Sequence, residues 1–146
     1  MAGGKNVAES EFHGPGLFRG LLCAQGLATL VVAALSAWPG GREVALAALA
    51  GGGIATVASG WAGFQLWLHP GNRDPNRAAT AAIRAEIGRV VIVLLLLWLT
   101  LKHWPEVRQG APAMLLFAGF FVVQLAGWIW LARATGKTHI DSNRNG

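Results

Sequence analysis

The sequence predicts an all-α integral membrane protein: four transmembrane helices arranged as two antiparallel hairpins, with both termini cytoplasmic. Composition, the lengths of the apolar runs and the placement of the basic residues carry this prediction. Of 146 residues, 53% are hydrophobic and 13% charged, against about 25% charged in soluble domains. Residues 20–41, 44–68 and 111–132 are apolar over the roughly 20 residues a span needs, and only Arg42 and Glu43 lie between the first two.

The third span in chain order, 87–101, is short and charged. It reaches membrane length only by taking in Glu86 and the residues before it, and it contains Arg89. Glu86 and Arg89 are three residues apart and share a helix face. They lie 16 and 13 residues before Lys102, or about 24 and 20 Å along a helix. With Lys102 at one edge of a core about 30 Å thick, both fall inside the other edge. Two such charges cost about 5–7 kcal/mol at a midplane, and less near an interface. The ten Val, Ile and Leu residues of 90–101 return about 3–6 kcal/mol. The span is therefore marginal, with its charges turned toward other helices or water. An ionisable pair at that depth is a candidate functional site; a Glu–Arg ion pair that fixes packing is the plainer account.

The basic residues set orientation. With four spans, Lys5, Arg19, Arg73, Arg77, Arg84, Arg89, Arg133, Lys137 and Arg144 share one side, and Arg42, Lys102 and Arg108 the other. Nine against three places both ends and the middle loop in the cytoplasm. The net charge of +5 thus sets topology and meets anionic lipid heads, with no call for nucleic acid. The segment after Lys5 and Arg19 is too long for a signal h-region and lacks a clean small-x-small end before Pro39, so an uncleaved helix is expected. The chain divides into an N-terminal tail (1–16), a membrane domain (17–133) and a polar C-terminal tail (134–146). Residues 39–43 form a tight turn, and 103–112 a second one.

Small and polar residues mark helix contacts. Gly52, Thr56 and Gly60 repeat every four residues, as do Ala55, Ser59 and Gly63 one face along. Such spacing lets helix backbones approach closely, either within this chain or against another membrane protein. Gln25, Gln65 and Gln124 lie inside spans and need hydrogen-bond partners where water is scarce. They either bond across the bundle or line a polar path. Trp38, Trp67, Trp104, Trp128 and Trp130 fall near span ends, as in an aromatic belt, while Trp61 and Trp98 lie deeper. The single Cys23 excludes an intrachain disulfide. His13, His69, His103 and His139 are scattered without metal-ligand spacing, and no phosphate loop or catalytic triad is present. No enzyme activity and no cofactor is expected, and the residues assign no metal.

In order and spacing these features resemble the ATP synthase protein I family, small membrane proteins associated with bacterial F-type ATP synthases. Arg19 with Gln25, the run Leu49-Ala50-Gly51-Gly52-Gly53-Ile54-Ala55, Glu86-x-x-Arg89, and Phe117-x-Gly119-Phe120-x-x-x-Gln124 carry the resemblance over about residues 17–133. Ala85 stands where the family usually has Gly, Arg89 where it has Lys, and Ser59-Gly60 where members often have Pro-Asn. The resemblance implies a bacterial inner-membrane accessory that helps the rotor subunit c insert and oligomerise into its ring. Other membrane-sector subunits or a second copy of the chain are further partners. It also admits a magnesium or calcium transporter component, or a structural subunit of the synthase. A divalent cation wants six or more oxygen ligands, which one carboxylate and three glutamines supply sparsely.

Overall fold

A computed structural model describes residues 14–68 and 75–144, and these are helical almost throughout. Helix α1, Gly14–Gly63, is kinked at Gly41 and runs into a π-helical turn, Phe64–Leu68. Helix α2 is Pro75–His103, a 3-10 turn covers Pro105–Arg108, and helix α3 is Gly110–Arg144. Lys5, His13, His69 and Arg73 lie outside the described residues.

The breaks follow from backbone chemistry. Pro39 lies inside α1, and Gly41 takes φ 72° and ψ −169°, a region essentially reserved for glycine. The expected turn over 39–43 thus contracts to a single non-helical residue. The two arms on either side lie against each other. Gln25 bonds to Ser59, and a methyl at Gly52 would sit 2.6 Å from the Thr29 side chain. Pro75 opens α2, where a missing N–H costs nothing. Pro105 closes it by pushing Trp104 out of the helical region, to φ −128° and ψ 81°. Gly110, at φ 68°, turns the chain into α3. That helix runs on to Arg144 through most of the expected polar tail; no proline follows Pro112 to stop it.

Of the four expected spans, membrane length and apolarity are met in two helices. They are the stretch Pro15–Leu66, 52 residues long and bent at Gly41, and Gly110–Ala134 in α3. Helix α2 does not meet them, because extending its apolar run to membrane length takes in Glu86 and Arg89. Much of the large apolar surface faces outward, including Leu27, Leu35, Leu94, Leu125 and Ile129, and Trp38 is 95% exposed. Hydroxyls inside the helices are satisfied locally: Thr29, Ser36, Thr56 and Thr100 each donate to the carbonyl four residues back.

The core is a close crossing of the second arm of α1 with α3. A methyl on Gly51 would collide with the Leu116 carbonyl, and one on Gly119 would lie 2.6 Å from the Ala48 carbonyl. Ala47, Ala48, Ala55 and Ala58 are fully buried along this arm, and Leu116 and Val123 on α3. Gly52, Ala55, Ser59 and Gly63 of the expected small-residue faces are buried, while Thr56 and Gly60 are partly so. Helix α2 packs on α1 and scarcely touches α3. Gly88 allows this packing, since a methyl there would overlap the Trp61 indole.

Gly51→Ala is expected to destabilise the folded protein by about 1–3 kcal/mol through overpacking. Gly53→Ala, with nothing within 4 Å of the added methyl, is expected to be close to neutral. Denaturation of the purified protein by SDS titration, followed by circular dichroism, separates the two.

Candidate functional site

Where the helices approach most closely, an apolar bundle has little room for polar side chains. Gln25 is nevertheless 1% exposed. It is held on the first arm of α1 and wedged between two small residues. Its Nε2 donates to Ser59 Oγ at 2.9 Å. A methyl on Gly127 of α3 would lie 2.6 Å from the same Nε2. Gly127 therefore lets α3 come close enough to cover the amide. The amide oxygen of Gln25, like that of Gln124, is buried and has no hydrogen-bond partner.

Leaving a buried polar atom unpaired costs about 1–3 kcal/mol. Here both unpaired atoms belong to residues that line one pocket of about 140 Å³. Ser59, Glu86, Arg89 and Trp128 line it too, so α1, α2 and α3 all contribute. A water needs about 10–15 Å³ of such volume, so the pocket has room for several waters or one short polar side chain.

Glu86 and Arg89 stand at one wall. The Arg89 guanidinium donates to Glu86 Oε2 at 3.3 Å. The Arg89 side chain is 19% exposed and that of Glu86 63%. Arg89 thus sits in the pocket wall, and Glu86 reaches outward from it. At this exposure the pair contributes little stability. The pair puts opposite charges in the wall of the pocket that the two amide groups also line.

The structure thus gathers four of the expected polar positions, Glu86, Arg89, Gln25 and Gln124. Two others are elsewhere. Arg19 is exposed and Gln65 is buried in the π-helical turn, and neither lines the pocket. Gln25 pairs with Ser59 rather than with another glutamine. Ser59 was legible only as a small residue on a packing face, and its hydroxyl is the polar contact that sequence reasoning missed. The signal was the hairpin itself, which folds about Gly41 and brings position 59 opposite position 25. Among the described residues no three His, Cys, Asp or Glu side chains gather as a metal site.

Ser59→Ala is expected to lower stability by about 0.6 kcal/mol, the typical worth of a hydrogen bond between membrane helices. Gln25→Leu removes the bond and the unpaired oxygen together, so its stability is expected to lie within about 1 kcal/mol of the parent. SDS titration of both variants checks the order.

A family model described as ATP synthase I chain matches residues 20–121. No curated relative and no solved structure matches the chain. The matched stretch takes in Gln25, Ser59, Glu86 and Arg89, and Gln124 lies three residues beyond it. Family and apolar helices together point to a membrane location and a place beside the ATP synthase. Matched over more than half its length, the chain belongs to the ATP synthase I chain family.

Proposed function

We propose that this protein is a non-enzymatic assembly factor of the bacterial inner membrane, which receives the rotor subunit of the ATP synthase and aids formation of its ring. The observation that carries the reading is the pair of buried, unpaired amide oxygens of Gln25 and Gln124 at one pocket. In lipid an unpaired polar group seeks a partner. A hydrogen-bond-donating side chain on another protein's helix is such a partner, and membership of an ATP synthase family supports looking for it among the synthase's membrane subunits. The weak packing between α2 and α3 gives a helix a lateral approach. In this reading both arms of α1, together with α2 and α3, cross the membrane as two hairpins with cytoplasmic ends.

Engagement at such a site is transient by construction. One net hydrogen bond is worth about 1 kcal/mol, or about fivefold in affinity. That suits a factor that hands its client on better than a permanent subunit. A divalent-cation path fits less well, because Arg89 lines the same pocket as Glu86 and its positive charge opposes a dication.

Loss of the unpaired acceptor is expected to matter more than loss of packing. In cells carrying Gln124→Leu, the yield of assembled rotor rings is expected to fall by about fivefold with the protein level unchanged. Glu86→Ala is expected to lower the yield further than Arg89→Lys. Quantifying rings by native gel electrophoresis of membranes checks this; normal ring yield with Gln124→Leu contradicts the reading. Equal stoichiometry of the protein with the purified synthase favours a structural subunit instead. Cation flux into reconstituted vesicles that is lost in Glu86→Gln favours a transporter.

A further inference from the structure

A second pocket lies at the opposite end of α2, away from Glu86 and Arg89. It has a volume of about 430 Å³ and is lined by Trp98, Leu101, Lys102, Val107, Arg108 and Phe117, among others. Its floor is rigid. Val107 is fully buried in a cluster with Ala47 and Leu116, against which Leu97 and Trp104 pack. Two cations are fixed at its rim. The Lys102 ammonium sits 4.6 Å from the centroid of the Trp98 ring, a cation–π contact. Arg108 Nε donates to the Leu101 carbonyl at 2.6 Å, which holds the guanidinium in place while leaving its two terminal amino groups free for a ligand.

Glu106, exposed in the same 3-10 turn and two residues from Arg108, is the carboxylate nearest in sequence to the two cations. Among the described residues no carboxylate pairs with Lys102 or Arg108; the ion pair present there is Arg89–Glu86. The rest of the lining is apolar or aromatic. The pocket opens beside the cleft between α2 and α3, which scarcely touch. Leu94 and Leu95 on α2 and Phe121 on α3 are exposed large apolar residues of these two helices. Two held cations above apolar walls match a ligand with an anionic head and a hydrocarbon tail. The aromatic side chains and the lysine at a helix end set the site at headgroup depth.

We propose that this pocket binds one anionic glycerophospholipid, with its phosphate between Lys102 and Arg108 and its acyl chains along the cleft between α2 and α3. A lipid there fills the gap that the protein leaves between these helices and seats α2 without closing the cleft at its polar end. The proposal is independent of the rotor-subunit reading, since it uses neither Gln25 nor Gln124.

Native mass spectrometry of the full-length protein in detergent, with phosphatidylglycerol and phosphatidylcholine added in equal amounts, tests it. One retained phosphatidylglycerol is expected, preferred by roughly 25-fold, since each of the two cations near the phosphate adds roughly fivefold. The preference is expected to vanish in Lys102→Gln/Arg108→Gln and to survive in Lys102→Arg/Arg108→Lys and in Arg42→Gln, with unchanged helicity by circular dichroism. If the charge-removing variant does not fold, a roughly fivefold drop in the preference in the single Arg108→Gln variant takes its place. An unchanged preference in the charge-removed protein, or no preference in the parent, overturns the proposal. Displacement of the lipid by millimolar inorganic phosphate also overturns it, because the site then reads a free anion rather than a lipid.

Discussion

The rest of this structure depends on how closely the second arm of α1 approaches α3. Backbone touches backbone there because Gly51 faces the Leu116 carbonyl and Gly119 faces the Ala48 carbonyl. In lipid, helices gain little by hiding apolar surface from water, so packing of small residues does much of the holding. The same logic repeats at smaller contacts. Gly52 admits Thr29, Gly127 admits the Gln25 amide, Gly20 admits the Trp130 ring and Gly88 admits Trp61. Each position is small because something specific occupies the space a side chain would need.

That tight crossing also sets the chemistry. It closes α3 over Gln25 tightly enough to exclude bulk water, yet leaves the amide oxygens of Gln25 and Gln124 without partners beside a small pocket. A protein selected only for stability replaces such groups with leucine, since half-satisfied polar networks cost more than an apolar core. Their presence next to Glu86 and Arg89 is the physical basis for reading the pocket as a recognition site. Helix α2 packs on α1 and the two adjoining turns, scarcely touches α3 and bears the charges. It combines the weakest membrane signal with one wall of each pocket.

Much of this was legible from residue types and spacing. Helical class, the break at the Pro39–Gly41 turn, the buried Ala55–Ser59–Gly63 face and the adjacency of Glu86 and Arg89 follow from local rules. The polar cluster was legible as a set of candidates, not as a site. Gln124 is 99 residues from Gln25 in the chain, and no periodicity links them. Only the crossing of α3 over the kinked α1 does. Gly51 and Gly119 were visible in the sequence, but their partners are backbone carbonyls, which carry no residue-type signal. The tail beyond residue 134 was legible as polar, and its continuation of α3 to Arg144 follows from the absence of a helix breaker. The second pocket went unread for a related reason. Lys102 and Arg108 appeared as topology markers, and the Leu101 carbonyl that receives Arg108 is a backbone group, which carries no residue-type signal.

Site-specific photo-crosslinking in intact membranes tests the central claim most directly. A photoreactive residue placed at Trp128, which lines the polar pocket, is expected to capture the rotor subunit. The same residue at Leu27, exposed on the first arm, is expected to capture it far less. Introducing Gln25→Leu is expected to weaken the Trp128 crosslink without changing the level of the protein. Equal capture from both positions, or capture from Trp128 that Gln25→Leu leaves unchanged, would contradict a polar pocket that recognises its client through unpaired amides.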